Sequence, residues 1–160
     1  QPQSETVWRQ ANRYKVPRVI FVNKMDRIGA DFARVVADVR AKLGANAVAM
    51  QIQVGVSEDF NGVIDVLTGK LARFEGEMGE KVLWSDAPAE YAEKIKELRT
   101  KIVEAAAEVD DRIAEKFLNE EEISNEEIKA AIRKGVIALK IVPAFAISSR
   151  SSTGYRYEWW

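Results

Sequence analysis

Val19-Ile20-Phe21-Val22-Asn23-Lys24-Met25-Asp26 is the stretch on which the fold turns. Its first four residues are all apolar and all β-branched or aromatic, so they read as a strand covered on both faces, as in a parallel sheet. Polar residues follow at once. Open α/β sheets present their ligand sites at the carboxyl ends of such strands, so Asn23, Lys24 and Asp26 stand where a site belongs. Upstream, residues 4–14 (SETVWRQANRY) predict a helix with Ser4 as N-cap and Val7, Ala11 and Tyr14 on one face. Downstream, Asp31 predicts a helix start, Phe32, Val35, Val36, Val39 and Leu43 recur at helical spacing, and Gly44 supplies a stop. Helix, strand, polar loop and helix together make one unit of a parallel α/β sheet.

Beyond Gly44 the pattern changes. Val48, Met50, Ile52 and Val54 alternate with small or polar residues, which predicts one half-buried strand. Turn signals at Asn61-Gly62, Thr68-Gly69-Lys70, and Gly76 with Gly79 then separate runs over 63–67, 71–74 and 81–84, an antiparallel meander. Three helices are expected next. One starts near Pro88 and runs to Val109, and a short one covers 110–118. The third is opened by Ser124 and Glu127 as a capping box, with Ile123 and Ile128 as a hydrophobic staple, and is expected to loosen near Gly135. Residues 141–146 predict a last buried strand, and Pro143 argues against a central place for it. The fold class is therefore α/β, a partial parallel sheet with an inserted α+β subdomain of small antiparallel sheet and three helices.

Composition bounds the chemistry. A chain of 160 residues with 47% hydrophobic and 31% charged residues is ordinary for a globular domain. Without cysteine or histidine, disulfides, thiolate chemistry, structural zinc and Ser-His triads are excluded, and a reducing cytoplasmic setting is expected. No run is long and apolar enough for a membrane span, so no membrane partner is expected. Net charge is −1 but unevenly spread: residues 1–42 hold nine Lys/Arg against four Asp/Glu, and residues 75–130 eight against seventeen. Two surfaces with different partners follow from that asymmetry.

The loop after the first strand fits one base. Guanine offers two donors on one edge, its ring N1–H and exocyclic amino group, and the Asp26 carboxylate can accept both. Adenine would turn a lone pair toward the same carboxylate, and an unpaired buried acceptor is costly. Asn23 can donate to N7, and the Lys24 stem can lie on the base face. The same residues also suit an ordinary strand-to-helix turn, and the motif by itself leaves both readings open. A second feature is the helix over 89–109. Tyr91, Ile95, Leu98, Ile102 and Val109 fall on one face, and Glu90, Glu93, Glu97, Glu104 and Glu108 form a stripe nearly opposite. A solvated face with i,i+4 partners such as Glu97–Lys101 accounts for most of it; Glu104–Glu108 is a like-charge pair.

Residues 1 to about 147 closely resemble the elongation factor G family of translational GTPases. The resemblance is carried by QPQSETVWRQANRYKVPRVIFVNKMDRIGADF, LGANAVAMQIQVG, FNGVIDVLTGKL and EEEISNEEIKAAIRKG with the strand that follows. It implies the second half of a GTP-binding domain over 1–54, that family's insert over 55–138, and the last sheet strand with its base-binding turn over 139–149. Residues 150–160 look vector-encoded or read-through, with no function. It implies that Asn23, Lys24 and Asp26 select guanine, joined by backbone N–H groups at Ser148 and Ser149, where Ile147-Ser148-Ser149-Arg150 departs from the family's Gly-Ser-Ala. GTP or GDP with Mg²⁺ is the parent family's cofactor. No G-x-x-x-x-G-K-[ST] phosphate loop occurs here, so this chain alone is expected to be inactive and to hold no nucleotide firmly. The ribosome is the implied partner, through Glu97, Glu104 and Glu108 on the stalk protein's C-terminal domain. A strand lacking upstream neighbours also predicts self-association through exposed sheet edges. The alternative is a stand-alone acidic module that binds the stalk and no nucleotide.

Overall fold

A computed structural model describes residues 2–76 and 81–147. In chain order the elements are α1 (Pro2–Arg13), β1 (Ile20–Val22), α2 (Phe32–Leu43), β2 (Ala47–Ala49), β3 (Gln51–Val54), β4 (Gly62–Asp65), β5 (Lys70–Glu75) and β6 (Lys81–Asp86). They continue with α3 (Ala92–Ala107), α4 (Asp111–Leu118), α5 (Asn125–Ile137) and β7 (Val142–Ala146). β1, β7 and β2 form a parallel sheet in that order, and β3 to β6 form an antiparallel meander in chain order. The α/β class, the parallel sheet and the attached α+β part are thus all present.

The parallel sheet is covered differently on its two faces. Ala47, Ala144 and Ala146 turn toward Phe32 and Val36 of α2, and that cluster continues into Val63 and Ala72 of the meander. Val48 and Phe145 turn the other way, onto Ile102 and Ala106 of α3 and Ile128, Ile132 and Val136 of α5. The meander and the three C-terminal helices therefore share the core of the parallel sheet. Arg99 ties these parts together from α3, donating to the carbonyls of Leu67 and Ile123 and to Asn125 Oδ1.

Several expectations are corrected. The strand expected across 48–54 is two strands. The chain leaves the parallel sheet at Met50, whose N–H still donates to the Ala144 carbonyl, and β3 pairs instead with β4. Pro143 lies in the central strand, not an edge. Val142 N–H donates to the Asn46 carbonyl and Ala144 accepts from Met50, so alternation turns the Pro143 nitrogen toward β1. β1 pairing begins only at Ile20 opposite Ala144, one level further on, so the missing N–H forfeits no ladder bond. Ser4 sits within the first turn of α1, because Pro2, with its fixed φ, opens that helix. Phe21 is 57% exposed and rests only partly on the Phe145 ring, 5.7 Å between centroids, so β1 is covered on one face. The first C-terminal helix ends at Ala107 and not at Val109. α5 does not loosen at Gly135 but continues to Ile137, and a Cβ at position 135 would meet Ile141 Cδ1 at 2.5 Å, so glycine there serves close packing. Gly135 is a contact point between α5 and the start of β7.

The starts of α2 and α5 fall where the sequence puts them. Asp31 Oδ1 accepts from Arg34 N–H, and Gly44 closes α2 at φ 60°. Ser124 Oγ accepts from Glu127 N–H at 3.2 Å while Glu127 Oε2 accepts from Ser124 N–H at 2.9 Å, a complete capping box.

Candidate guanine-binding loop and acidic helix

β1 delivers its last residue, Val22, into the α2-side core, and Asn23 and Lys24 emerge into solvent directly after it. Asn23 Oδ1 accepts the Lys24 N–H at 2.7 Å. Lys24 itself stands at φ 65°, a left-handed conformation that few residues other than glycine adopt. The local side-chain bond offsets that strain, and it also fixes the Asn23 amide: its oxygen is engaged, so its NH₂ is the group left to donate. Backbone bonds from Arg27 N–H to Lys24 and from Ala30 N–H to Arg27 wind the loop into two successive turns that end at the Asp31 cap.

Met25 holds this loop down. It is 1% exposed and lies among Val22, Phe32, Val36, Val63 and Ala72. The sequence pattern treats this position as free, yet it is the loop's anchor. Its N–H donates to the Ile147 carbonyl at 3.4 Å, and Ile147 N–H donates to the Val22 carbonyl at 2.9 Å. The end of β7 is thereby bonded to both sides of the loop, and the chain goes on from there to Ser148 and Ser149. Those two residues lie outside the described residues.

Asp26 is half-buried, and its Oδ1 is a buried acceptor with no hydrogen-bond partner among the described residues. Buried carboxylate oxygens are otherwise almost always paired, since leaving one bare costs on the order of 1–3 kcal/mol or more. The loop therefore holds a buried carboxylate oxygen with no partner among the described residues, an amide NH₂ and a lysine stem within four consecutive residues. An open depression beside it is lined by Lys24, Met25, Arg27, Gly29, Asp31 and Arg34, among others.

Two glutamines do positioning work that the sequence pattern assigns to a solvent face. Gln51, 1% exposed, accepts the Ala146 N–H at 2.7 Å, replacing a ladder bond where β2 has already ended. Gln53 Oε1 accepts the Phe32 N–H at 3.2 Å, fixing the first turn of α2, while its Nε2 donates to the Gly55 carbonyl. The signal was present as two polar residues alternating with apolar ones. It is readable only once the break at Met50 is known.

The acidic helix is α3. Glu97, Glu104 and Glu108 are all exposed and lie away from buried Ile102 and Ala106. Glu97 accepts from Lys101 Nζ at 2.9 Å and Lys94 Nζ at 3.3 Å, and those two lysines hold its carboxyl below the usual range. Glu104 and Glu108 have no ion-pair partner among the described residues, so the free negative charge of the stripe sits at its C-terminal end. The loop after β1 and the acidic stripe belong to different elements. Among the described residues no three acidic side chains come together as a metal site, and no helix is long and apolar enough to cross a membrane.

A parallel sheet with its site loop at a strand's carboxyl end, entering a helix, is the architecture of a nucleotide-binding α/β domain. Residues 1–156 match the family model for the elongation factor Tu GTP binding domain. The chain belongs to that family, the translational GTPases. A protein of Thermus thermophilus, known from its crystal structure, is similar over 92% of this chain at a TM-score of 0.79 and 28% identity. The chain spans 22% of that protein's length.

Proposed function

We propose that Asn23, Lys24 and Asp26 bind the base of a guanine nucleotide, as part of a translational GTPase of the elongation factor G kind. The observation that carries this reading is the unpartnered Asp26 Oδ1. A carboxylate oxygen built into a loop without donors is satisfied by a ligand that brings its own, and guanine's N1–H and amino group are a matched pair. The engaged Asn23 oxygen leaves its NH₂ for the acceptor N7. Ser148 and Ser149, continuing from Ile147 beside the loop, complete the site by backbone N–H groups in this reading. In the parent family GTP or GDP brings Mg²⁺ with it; no residue of this chain is assigned to the phosphates or the metal, and hydrolysis is assigned to the longer protein, not to this chain.

Titrating GDP into the full chain in a calorimeter tests the reading. Weak binding is expected, with none for ADP, and Asp26→Asn should lower affinity by more than about tenfold, the effect of stripping one charged hydrogen-bond partner. The absence of heat at millimolar GDP, or equal heat with ADP, removes it.

A second reading is favoured by the uncompensated charge at Glu104 and Glu108. With Glu97 they form the surface that meets the ribosomal stalk protein's C-terminal domain, on a cytoplasmic ribosome, and the chain can act there as an acidic interaction module without nucleotide. Binding to that domain should weaken with salt, and changing all three to Lys should abolish it. Because Glu97 is already neutralised by two lysines, Glu104→Lys with Glu108→Lys should account for most of the loss. An unchanged affinity in the triple variant refutes this reading. The exposed Phe21 and the outer edge of β1, unpaired by any strand among the described residues, support self-association between copies, and a monomer in light scattering at high concentration would count against it.

A further inference from the structure

The molecule holds a second candidate site, on the opposite edge of the parallel sheet from β1. β2 is the outer strand there, and its bonds to β7 run through Asn46 and Met50, so the backbone groups of Ala47 and Ala49 face outward. No strand among the described residues covers them. α2 stands on one side of this edge and α3 on the other, and between them lies a crevice of about 210 Å³. Val36, Val48 and Leu98 give it an apolar lining.

Its charged lining is of one sign. Arg40 from α2 and Lys94 and Lys101 from α3 line it, and no acidic residue does. Lys94 and Lys101 share Glu97 outside the lining, whereas Arg40 has no ion-pair partner among the described residues. Gln51 also lines the crevice, and its Nε2 is a buried donor with no hydrogen-bond partner among the described residues. Because Gln51 Oε1 must accept the Ala146 N–H, the amide cannot be turned to hide that donor. An apolar crevice lined by cations and no acid is matched by a small molecule with an apolar body and an anionic acceptor group.

We propose that the crevice between α2, the β2 edge and α3 binds a small amphiphilic carboxylate. The apolar chain lies on Val36, Val48 and Leu98, and the carboxylate is held by Arg40 and Lys101. This site is independent of the guanine loop, and its test does not depend on nucleotide.

Decanoate, below its aggregation concentration, is the probe, titrated into the full chain and followed by methyl and side-chain amide NMR. Shifts are expected at Val36, Val48 and Leu98 and at the Gln51 amide, with decanol binding more weakly and decyltrimethylammonium more weakly still. Arg40→Gln with Lys101→Gln removes two exposed cations without touching the core and should weaken decanoate about fivefold while leaving decanol unchanged. Ala37→Phe, which fills the crevice from the exposed face of α2, should abolish binding of both. Equal affinity for the three head groups, no effect of removing the cations, shifts confined to other surfaces, or no shift at all would each overturn the proposal. Far-UV circular dichroism on both variants separates loss of the site from loss of the fold.

Discussion

Replacing Met25 by alanine tests the claim that the loop after β1, the proposed guanine site, is held from below rather than by its polar residues. The change removes three heavy atoms from a side chain that is 1% exposed. Counted as buried methylene equivalents, the transfer loss is about 2.4 kcal/mol. The cavity left behind adds up to about 1 kcal/mol, because its walls come from β1, α2, β4 and β5, which cannot all close in together. The expected destabilisation is therefore about 3 kcal/mol, a fall in Tm of about 6–12 °C for a chain this size. Ile28 is the internal control: it lies three residues on in the same loop, is just as apolar, and is 91% exposed. Ile28→Ala should stay within about 0.5 kcal/mol of the parent. Met25→Leu, which keeps most of the volume, should cost less than about 1.5 kcal/mol. Urea unfolding followed by far-UV circular dichroism reads all three. A Met25→Ala cost below about 1 kcal/mol, or equal costs for Met25→Ala and Ile28→Ala, would refute the anchoring role.

Two further outcomes follow from the helical part. Lys116, donating at 2.7 Å, and then the Ser124 backbone N–H hold Glu127 at about 2, well below its ordinary 4.5. A carboxyl depressed by folding contributes stability above its unfolded pKa and loses it as pH falls through the folded one. Urea midpoints should therefore drop between about pH 4.5 and 2, and Glu127→Gln should flatten that part of the profile; an unchanged slope in the variant refutes the assignment. Gly135→Ala gains up to about 1 kcal/mol of helix propensity but drives a methyl against Ile141, an overpacking cost of about 1–3 kcal/mol. A net loss near 1 kcal/mol in the same assay is expected, and a stabilised variant would show that the contact yields freely.

Much of this architecture was legible because local signals and burial agree. Asp31 and Ser124 with Glu127 are caps in sequence and caps in space, and the turns at Asn61-Gly62 and Thr68-Gly69 place the meander within a residue or two. What was not legible depends on partners distant in sequence. The alternation from Val48 to Val54 is a genuine period of two, but it cannot reveal that residues 47–49 pair with a strand almost a hundred positions later while 51–54 pair with their neighbour. Pro143 misled for the same reason. Proline excludes a strand position only if its nitrogen faces a partner, and that depends on where β1 begins. Met25 and Ile28 are the sharpest case: two apolar residues in one polar loop, opposite in burial, with nothing local to separate them.

The hidden contacts share a location. Met25 to Ile147, Gln51 to Ala146 and Gln53 to Phe32 all join elements at the carboxyl end of the parallel sheet, where the loop begins and α2 starts. Asn23, Lys24 and Asp26 supply chemistry that any turn could display. Their orientation depends on a methionine in the core and on two glutamines from the first strand of the meander. The meander therefore acts on the loop from behind, although none of its residues belongs to the motif. A base-binding loop must be rigid to reject the wrong base, because discrimination comes from leaving a fixed carboxylate unpaired. In the proposed guanine-binding role that rigidity is drawn from the sheet of β3 to β6, so loosening β3 should cost selectivity between guanine and adenine before it costs the fold.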